Sequence, residues 1–413
     1  MRVSTVQLQR EAIQTLQRQQ SDISELQQQI ASGRRILRPS DNPLDSASII
    51  LLNQRIARNE QLQQNAEAGE TRLQLAESAL SSTTLTLQRV RELQIRATSS
   101  ILSNQDRQSI LEELNVLNEE LVGLANIQDA NGEFLFSGFQ ANVRPYTRNS
   151  SGDFVYNGDS GQRFSEVASG LRVAISDSGQ EIFGNNLTGN GFFSAADAGG
   201  NNTGSGVISA GSVINPSAYV RETYTITFVT NSASELAYQV VGSTSGQLIP
   251  ALPAVTPADA PAYVDGGTIN FNGIEINIRG TPAVGDDFQL TPSVRTNIFE
   301  TIDNLTAALE LNGNNPAEQA RMFTTLEQTL SEIDTGLETI LERRASIGAR
   351  LTEIEDAQEI NSNFTLLSQE ALSGLQDVDY ARAISEFQLR ATAIEASQQT
   401  FIRIQSLNLF NFI

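Results

Sequence analysis

The 413-residue sequence contains no cysteine, no histidine and no tryptophan. Without cysteine there is no disulfide framework and no thiolate metal site, and without histidine there is no imidazole ligand. Histidine is also the commonest general acid or base in enzymes. These absences remove most of the usual catalytic mechanisms. They do not by themselves exclude catalysis, but the sequence also shows no Gly-rich phosphate loop and no metal-ligand spacing. We predict no catalytic residues, no metal, no cofactor, no small-molecule substrate and no enzymatic activity.

Positive charge is scarce as well. The 48 acidic side chains outnumber 27 basic ones, which are all arginine, and the net charge is -21. An acidic chain repels nucleic acid and anionic lipid surfaces, so neither is an expected partner. No segment approaches the run of about 18 apolar residues that a membrane helix needs. The first eight residues lack the apolar core of a signal peptide. Taken alone this predicts a cytoplasmic chain, with export by a route without a cleaved signal left open.

The composition changes twice along the chain. Residues 1 to about 130 are rich in Gln, Leu, Ala, Glu and Arg, and residues from about 295 to 413 return to that composition. Between them, residues from about 131 to 293 are rich in Gly, Asn, Ser, Thr, Phe and Val. This order predicts a multidomain α+β fold. The N- and C-terminal arms would form a long antiparallel helical bundle or coiled coil, with an inserted, mainly β domain.

Apolar residues in both arms recur at alternating steps of three and four, which predicts long helices packed along a seam. Arg344 interrupts the last seam, where it could snorkel, pair with a carboxylate or contact a neighbouring subunit. The seam residues form three series: Leu73, Ala76, Leu80, Thr83, Leu87, Val90, Gln94, Ala97 and Ile101; Ile110, Leu114, Leu117, Leu121 and Leu124; and Leu326, Leu330, Ile333, Leu337, Ile340, Arg344, Ile347, Leu351 and Ile354.

Three breaks interrupt the helical pattern. In the first, Gly33 suits a helix C-cap, and Asn42 before Pro43 suits an N-cap with proline at the first helical position. The other two breaks are at residues 103–106 and 312–316. The sequence therefore predicts a hinge between the first helix and a second, longer one.

The middle region shows strand and turn patterns. Tyr224–Thr230 alternates with period two, and the Asn272-Gly273 dipeptide between isoleucine-rich runs predicts a hairpin. Residues 184–217 are so rich in Gly, Asn and Ser that we expect a surface loop there. Asp286 and Asp287 are an adjacent acidic pair, which we interpret as turn residues after Gly285 rather than catalytic carboxylates.

The terminal arms have too few apolar side chains to offset the entropy of ordering their backbone. We therefore predict arms that are largely disordered in the monomer and fold when other copies cover them. Arg34 and Arg35, with Arg38, form a basic cluster in the hinge, either a subunit contact or a solvated loop. The predicted interface residues are Ile13, Leu16, Ile23, Ile30, Arg34, Arg35, Ile384, Phe387, Ile394, Phe401, Leu407, Leu409, Phe410 and Phe412.

Several short motifs carry a family resemblance. They are the opening Met1–Thr5, the stretch Ile30–Ile36 followed by Pro39–Pro43, the segment Asn131–Phe139, and the ending Ser406–Ile413. As a set they resemble the bacterial flagellin superfamily, and most closely its hook–filament junction family. The ending departs from that of filament flagellins. The resemblance covers both arms and does not extend far into the β region.

The resemblance implies a three-part structural subunit with no enzymatic activity. Residues 1–43 with 372–413 would form a terminal coiled-coil assembly domain, 44–182 with 293–371 a helical bundle domain with a small β hairpin, and 183–292 an outer β domain. It implies export through the flagellar type III apparatus and a ring of copies between hook-associated protein 1 and flagellin. A cytoplasmic export chaperone would bind the C-terminal arm.

Two other hypotheses remain open. The chain could be a filament-forming flagellin of the same superfamily. It could instead be a surface hydrolase on a helical stalk, which would require a pocket of converging polar groups within residues 183–292.

Overall fold

A computed structural model describes residues 5–99, 103–251, 253, 256–311 and 315–410, without the side chains of residues 5, 6, 8, 9 and 404–410. Helices form both ends of the chain and strands its middle, which confirms the predicted α+β organisation. The helices are α1 (Thr5–Ser32), α2 (Pro43–Ala97), α3 (Asn104–Ala125), α4 (Gly179–Phe183), α5 (Ile298–Glu310), α6 (Pro316–Gln376) and α7 (Tyr380–Phe410).

The strands are short and mostly antiparallel. They are β1 (Tyr146–Arg148), β2 (Phe154–Tyr156), β3 (Phe164–Ala168), β4 (Leu171–Ala174), β5 (Asn186–Leu187), β6 (Phe193–Asp197), β7 (Val207–Ile208), β8 (Ser212–Val213), β9 (Tyr224–Thr230), β10 (Leu236–Gly242), β11 (Gly246–Ile249), β12 (Thr268–Phe271), β13 (Ile274–Arg279), β14 (Asp287–Pro292) and β15 (Arg295–Thr296). A single-turn 3₁₀ helix spans Pro257–Asp259.

The chain divides into two compact units. We call Met1–Ala66, Val167–Leu171 and Asp356–Ile413 the terminal unit, and Glu67–Glu166 with Arg172–Glu355 the central unit. The long helices α2 and α6 therefore contribute one stretch to each unit. The three-part division expected from the sequence remains a prediction beside this observed pair.

The helical part of the central unit is built on the predicted seam. Gln94 is buried and donates to the Leu326 carbonyl at 2.6 Å and to the Thr329 hydroxyl at 2.7 Å. Arg344, which interrupts the seam, forms an ion pair with Glu77 of α2 at 2.8 Å. Every seventh residue of this part of α6 is buried: Leu326, Ile333, Ile340, Ile347 and Ile354.

A cluster of aromatic rings joins α5 to the small β elements in the central unit. Phe299 of α5 has its ring centroid 4.9 Å from that of Tyr146 and 5.1 Å from that of Phe154. The hydroxyl of Tyr146 donates to the Gly179 carbonyl at 2.9 Å, and burial raises the pKa of this phenol. The small β elements after α3 are thus fixed to the bundle by ring packing.

The Asn131–Phe139 segment is held in place by an ion pair and backbone hydrogen bonds. Arg72 of α2 forms an ion pair with Asp129 at 2.6 Å and donates to the Phe134 carbonyl at 3.0 Å. Asp159 accepts from the backbone N–H of Phe139, and this hydrogen bond lowers the pKa of its carboxyl group. These contacts explain why the motif has this sequence, because a buried ion pair and backbone hydrogen bonds hold the turn against α2.

Two sheets enclose the core of the β region. The five-stranded sheet has the order β11-β10-β9-β14-β6, and β13 of the other sheet pairs with β12, β7 and β8. The predicted hairpin is confirmed: Phe271 pairs with Ile274, and Asn272 and Gly273 have positive φ, as a type I′ turn requires. The core side chains are Phe193, Ala195, Ile208, Tyr224, Ile226, Phe228, Val240, Ile269, Phe271, Ile274, Ile276, Ile278, Phe288 and Leu290.

The expectation of a surface loop over residues 184–217 is wrong in part. Strand β6 lies inside that stretch and pairs with β14 along its whole length, and β5, β7 and β8 are also there. Phe193 and Ala195 alternate with more exposed neighbours, so β6 has the period of a half-buried strand. The surrounding Gly and Asn residues hid this five-residue signal when composition was averaged over the whole stretch.

The structure supports the interpretation of the acidic pair as turn residues. Asp286 is buried and accepts hydrogen bonds from the backbone N–H groups of Thr203, Gly204 and Ala283 at 2.7–3.1 Å. Asp287 is the first residue of β14. The Asp286 carboxylate is therefore used to hold two loops together.

Candidate assembly surface

Helices α1 and α7 of the terminal unit pack against each other and bury little. They run antiparallel, with an ion pair of 3.1 Å between Arg390 and Asp22. Among the described side chains of the two helices, only Leu26 (7% exposed) and Ala383 (5% exposed) are buried. A two-helix pair covers only one side of each helix, so the apolar stripe is left partly buried or exposed and not fully covered.

The structure places most of the predicted interface residues on this pair of helices. Ile13 and Ile384 are exposed, and the hinge residues Arg34 and Arg35 are exposed as well. The side chains of Leu407, Leu409 and Phe410, and the whole of Phe412, lie outside the described residues. The partly buried members of the set are Leu16, Ile23, Ile30, Phe387, Ile394 and Phe401. Their role in assembly remains a prediction.

The α1–α2 and α6–α7 connections lie side by side in the terminal unit. Arg34 and Asp377 form an antiparallel β-bridge. The Arg35 N–H donates to the Gln376 carbonyl at 2.7 Å, and the Val378 N–H donates to the Gly33 carbonyl at 2.9 Å. The hinge predicted at Gly33 is therefore one half of a paired crossover.

Glycine is required at position 33. Its φ is +70°, and a Cβ there would lie 2.9 Å from the hydroxyl oxygen of Tyr380. Downstream, Asn42 accepts from the Asp45 N–H at 3.1 Å, which confirms the predicted N-cap of α2. Sequence reasoning missed the break between α6 and α7, although Asp379 is a recognisable N-cap that accepts from the Arg382 N–H at 3.1 Å.

In the terminal unit, α6 has polar or small residues on its inner side and apolar residues on its outer side, a pattern that sequence reasoning also missed. The inner side of α6 is small or polar: Ala357, Asn361 and Ser368 are buried. Its outer side is apolar, with Ile360 61%, Phe364 45% and Leu367 64% exposed. An exposed apolar stripe of this kind indicates a surface for another protein.

Amides fill the place of apolar side chains on the inner side. Asn361 donates to the Val167 carbonyl at 2.7 Å, and Asn59 donates to the Thr365 hydroxyl at 2.7 Å and also to the Asn361 carbonyl. Hydrogen bonds satisfy these buried groups, which lie beside the buried aliphatic residues Ile56 and Leu62 of α2. The apolar residues Ile360, Phe364 and Leu367 remain available outside.

The hydrolase alternative requires a pocket with converging polar groups, and a cavity of about 480 Å³ lies beside β6. Glu332 borders it, and burial raises the pKa of its carboxyl group. Its two oxygens accept from the Gly189 N–H at 2.9 Å and the Thr301 hydroxyl at 3.0 Å, and so join the β region to the helices. Burial also raises the pKa of Asp197, whose contact with Arg321 is a loose ion pair of 3.8 Å.

Neither a membrane helix nor a metal cluster is found where the structure describes the chain. None of the described helices is long and apolar enough to cross a bilayer. Over the same residues, no three His, Cys, Asp or Glu side chains are grouped so that they could hold a metal ion.

The comparisons with known proteins agree with this geometry. The model of the bacterial flagellin N-terminal helical region matches residues 3–141, and that of the flagellin C-terminal helical region matches residues 330–413. These regions contain both helices of the exposed terminal pair and the paired crossover. The fold and its uncovered helices thus define a structural subunit of the flagellin superfamily.

Relatives that match over nearly their whole length show which family of the flagellin superfamily the chain is similar to. Flagellar hook-associated protein 3 of Salmonella typhimurium is 23% identical over 412 residues, 99% of each chain. The solved hook-associated protein 3 of Legionella pneumophila is 38% identical with a TM-score of 0.76, covering 79% of this chain and 98% of that one. FlgL of Xanthomonas campestris is 31% identical with a TM-score of 0.70, over 78% and 99%.

The chain belongs to the flagellar hook-associated protein 3 family, and it is a component of the bacterial flagellum. Flagellins match over a shorter stretch. That of Bacillus subtilis is 34% identical over 132 residues, 31% of this chain and 43% of its own.

Proposed function

We propose that this chain is the adapter that joins the flagellar hook to the flagellin filament. The observation that carries the proposal is the pair of terminal helices, in which Leu26 and Ala383 alone are buried among the described side chains. A subunit whose helices are left uncovered is completed by neighbours, as expected for a member of a polymer. One solved relative from Legionella pneumophila is titled a flagellar junction protein.

The adapter contacts protein on both sides and catalyses no reaction. Its partners are copies of itself in a ring, hook-associated protein 1 on the hook side and flagellin on the filament side. The terminal helices form the inner assembly domain, the helical bundle the next layer and the β region the outer layer. A chain without cysteine can be unfolded and exported without reduction of disulfides.

Export precedes assembly in this proposal. The chain leaves the cell through the flagellar type III apparatus without a cleaved signal peptide. A cytoplasmic chaperone covers the C-terminal arm until then, because exposed apolar side chains of α7 such as Leu389 and Ile402 would otherwise aggregate.

Deletion of the gene followed by electron microscopy tests the role. We expect intact hooks without filaments, flagellin shed into the medium, and recovery when the gene is supplied on a plasmid. Normal filaments in the deletion strain would refute the proposal. The alternative, a filament-forming flagellin, predicts that purified chain extends into long filaments by itself.

A further inference from the structure

The terminal unit carries segregated charge beside its outer apolar stripe. The hinge loop, residues 33–42 between α1 and α2, carries the positive charge. Its Arg34 and Arg38 form no side-chain ion pair with any residue that the structure describes. Arg35 beside them is occupied, since it pairs with Asp45 at 3.1 Å and donates to the Leu375 carbonyl at 2.8 Å. The loop therefore presents two free guanidinium groups.

The other charged patch lies on α6. Asp356, Glu359 and Glu370 are exposed, and within the described chain no cation pairs with them. Asp356 and Ile360 are four residues apart, and Leu367 and Glu370 are three apart, so these carboxylates flank the stripe of Ile360, Phe364 and Leu367. The outer face of α6 is thus an apolar strip bordered by free negative charge.

Within one chain, no ion pair of the described residues joins the acidic border to Arg34 or Arg38. The loop is fixed beside Asp377 by the Arg34–Asp377 bridge. At 1.5 Å per residue, Glu370 lies about 10 Å and Asp356 about 30 Å from that point along the same helix. A second copy displaced along the helix axis by about 10–30 Å would bring its arginines to the carboxylates of the first.

We infer that the hinge loop of one copy docks on the acidic, apolar-striped face of α6 in the next copy. Arg34 and Arg38 pair with Asp356, Glu359 and Glu370, and the contact covers Ile360, Phe364 and Leu367. Charge complementarity selects a second copy as the partner, because each chain carries both the basic loop and the acidic face, at different positions along the helix axis. The contact is heterologous, the type that generates rings or helical arrays. This inference rests on the proposed role as an assembling subunit.

Cross-linking in isolated flagella tests the contact directly, because the chain has no cysteine of its own. Ser40→Cys in the loop and Asn363→Cys on the outer face of α6 are combined in the full chain, and flagella are treated with a short bismaleimide. We expect a ladder of multiples of the chain mass on an immunoblot. The matched control combines Ser40→Cys with Glu112→Cys on α3, where an exposed residue lies outside the terminal unit.

Charge reversal supplies the second measurement. Arg34→Glu with Arg38→Glu, or Asp356→Arg with Glu359→Arg, should each lower the amount of chain retained in flagella about tenfold. The four changes together should restore retention, since the attraction is re-formed with opposite sign. Glu112→Arg with Glu120→Arg, a reversal of the same size on α3, should leave retention unchanged.

The outcomes separate the two proposals. A ladder and reciprocal rescue support the contact. Chain that is present in flagella but gives no ladder beyond the control overturns the contact and leaves the adapter role intact. Wild-type chain that is absent from flagella overturns both.

Discussion

The central and terminal units bury opposite kinds of side chain along the inner side of α6. In the central unit α6 buries an aliphatic residue at every seventh position from Leu326 to Ile354. In the terminal unit the inner positions become Asn361 and Ser368, and the apolar residues Ile360 and Leu367 face outward. The difference shows that the central half of α6 buries its apolar side chains within the chain, whereas the terminal half leaves apolar side chains exposed.

The largest effect should come from the aromatic cluster of the central unit. Phe299→Ala removes a fully buried ring that contacts Tyr146 and Phe154, so it should lower the free energy of unfolding by about 3–5 kcal/mol. Urea unfolding followed by circular dichroism measures this loss. Phe139→Ala, the same change at an exposed ring in the same unit, should cost under about 1 kcal/mol. Equal losses would contradict the assignment of the core.

Amide exchange on the monomer compares the two units directly. Residues 10–32 and 380–403 should exchange at least about a hundredfold faster than the buried positions of α3 and α5, because opening free energies track burial. Protection should rise in the terminal helices once flagella are assembled. Strong protection of these helices in the monomer would show that they fold unaided.

The polar core of the terminal unit can be broken by one truncation. Asn361→Ala removes the donor to the buried Val167 carbonyl and should destabilise this unit by about 1–3 kcal/mol. Asn363→Ala, an exposed neighbour on the same helix, is the matched control and should be neutral. Exchange or limited proteolysis of the terminal unit measures the effect, and equal behaviour of both variants would refute a structural role for the amide.

The pH dependence of the central unit should depend on Glu332. Burial raises the pKa of its carboxyl group above 4.5, so the folded state holds the proton more tightly than the unfolded state. The resulting stability is complete below about pH 4.5 and is lost as the pH rises through the folded pKa. Glu332→Gln should remove this pH-dependent loss of stability, because an amide does not titrate. Urea unfolding at several pH values tests it, and identical slopes would contradict the prediction.

The smallest effect on the monomer is expected for Leu389, which is 72% exposed on α7. Leu389→Ala should change monomer stability by less than about 0.5 kcal/mol. The same change should reduce incorporation into flagella, because the lost contact exists only between subunits. A monomer clearly destabilised by Leu389→Ala would mean that α7 is already covered within one chain.

Much of the fold could be predicted from the sequence. The spacing of Leu326–Ile354, the Asn42-Pro43 start of α2 and the Asn272-Gly273 hairpin are local patterns, and the structure has all three. Strand β6 could not be found in this way, because its glycine-rich flanks dominate any average over the stretch. The α6–α7 break was missed since neither proline nor glycine occurs at residues 377–379.

The candidate surface was only partly predictable for a related reason. Apolar periodicity predicted that α1 and α7 are amphipathic helices with an apolar side for contacts. It cannot tell which side of a helix a neighbour covers. Ile360, Phe364 and Leu367 have helical spacing and resemble core residues in sequence. Their exposure is visible only once Asn59 and Asn361 are seen to occupy the inner side.

By itself the sequence determined the helical arms, the inserted β region, the hinge at Gly33 and the family, because these follow from local spacing and from short motifs. The tertiary structure decided that Arg344 pairs with Glu77, that Arg34 lies against Asp377, and that the outer face of α6 is apolar. These are contacts between residues tens or hundreds of positions apart. Such contacts depend on which faces the folded chain brings together, and no local pattern records that.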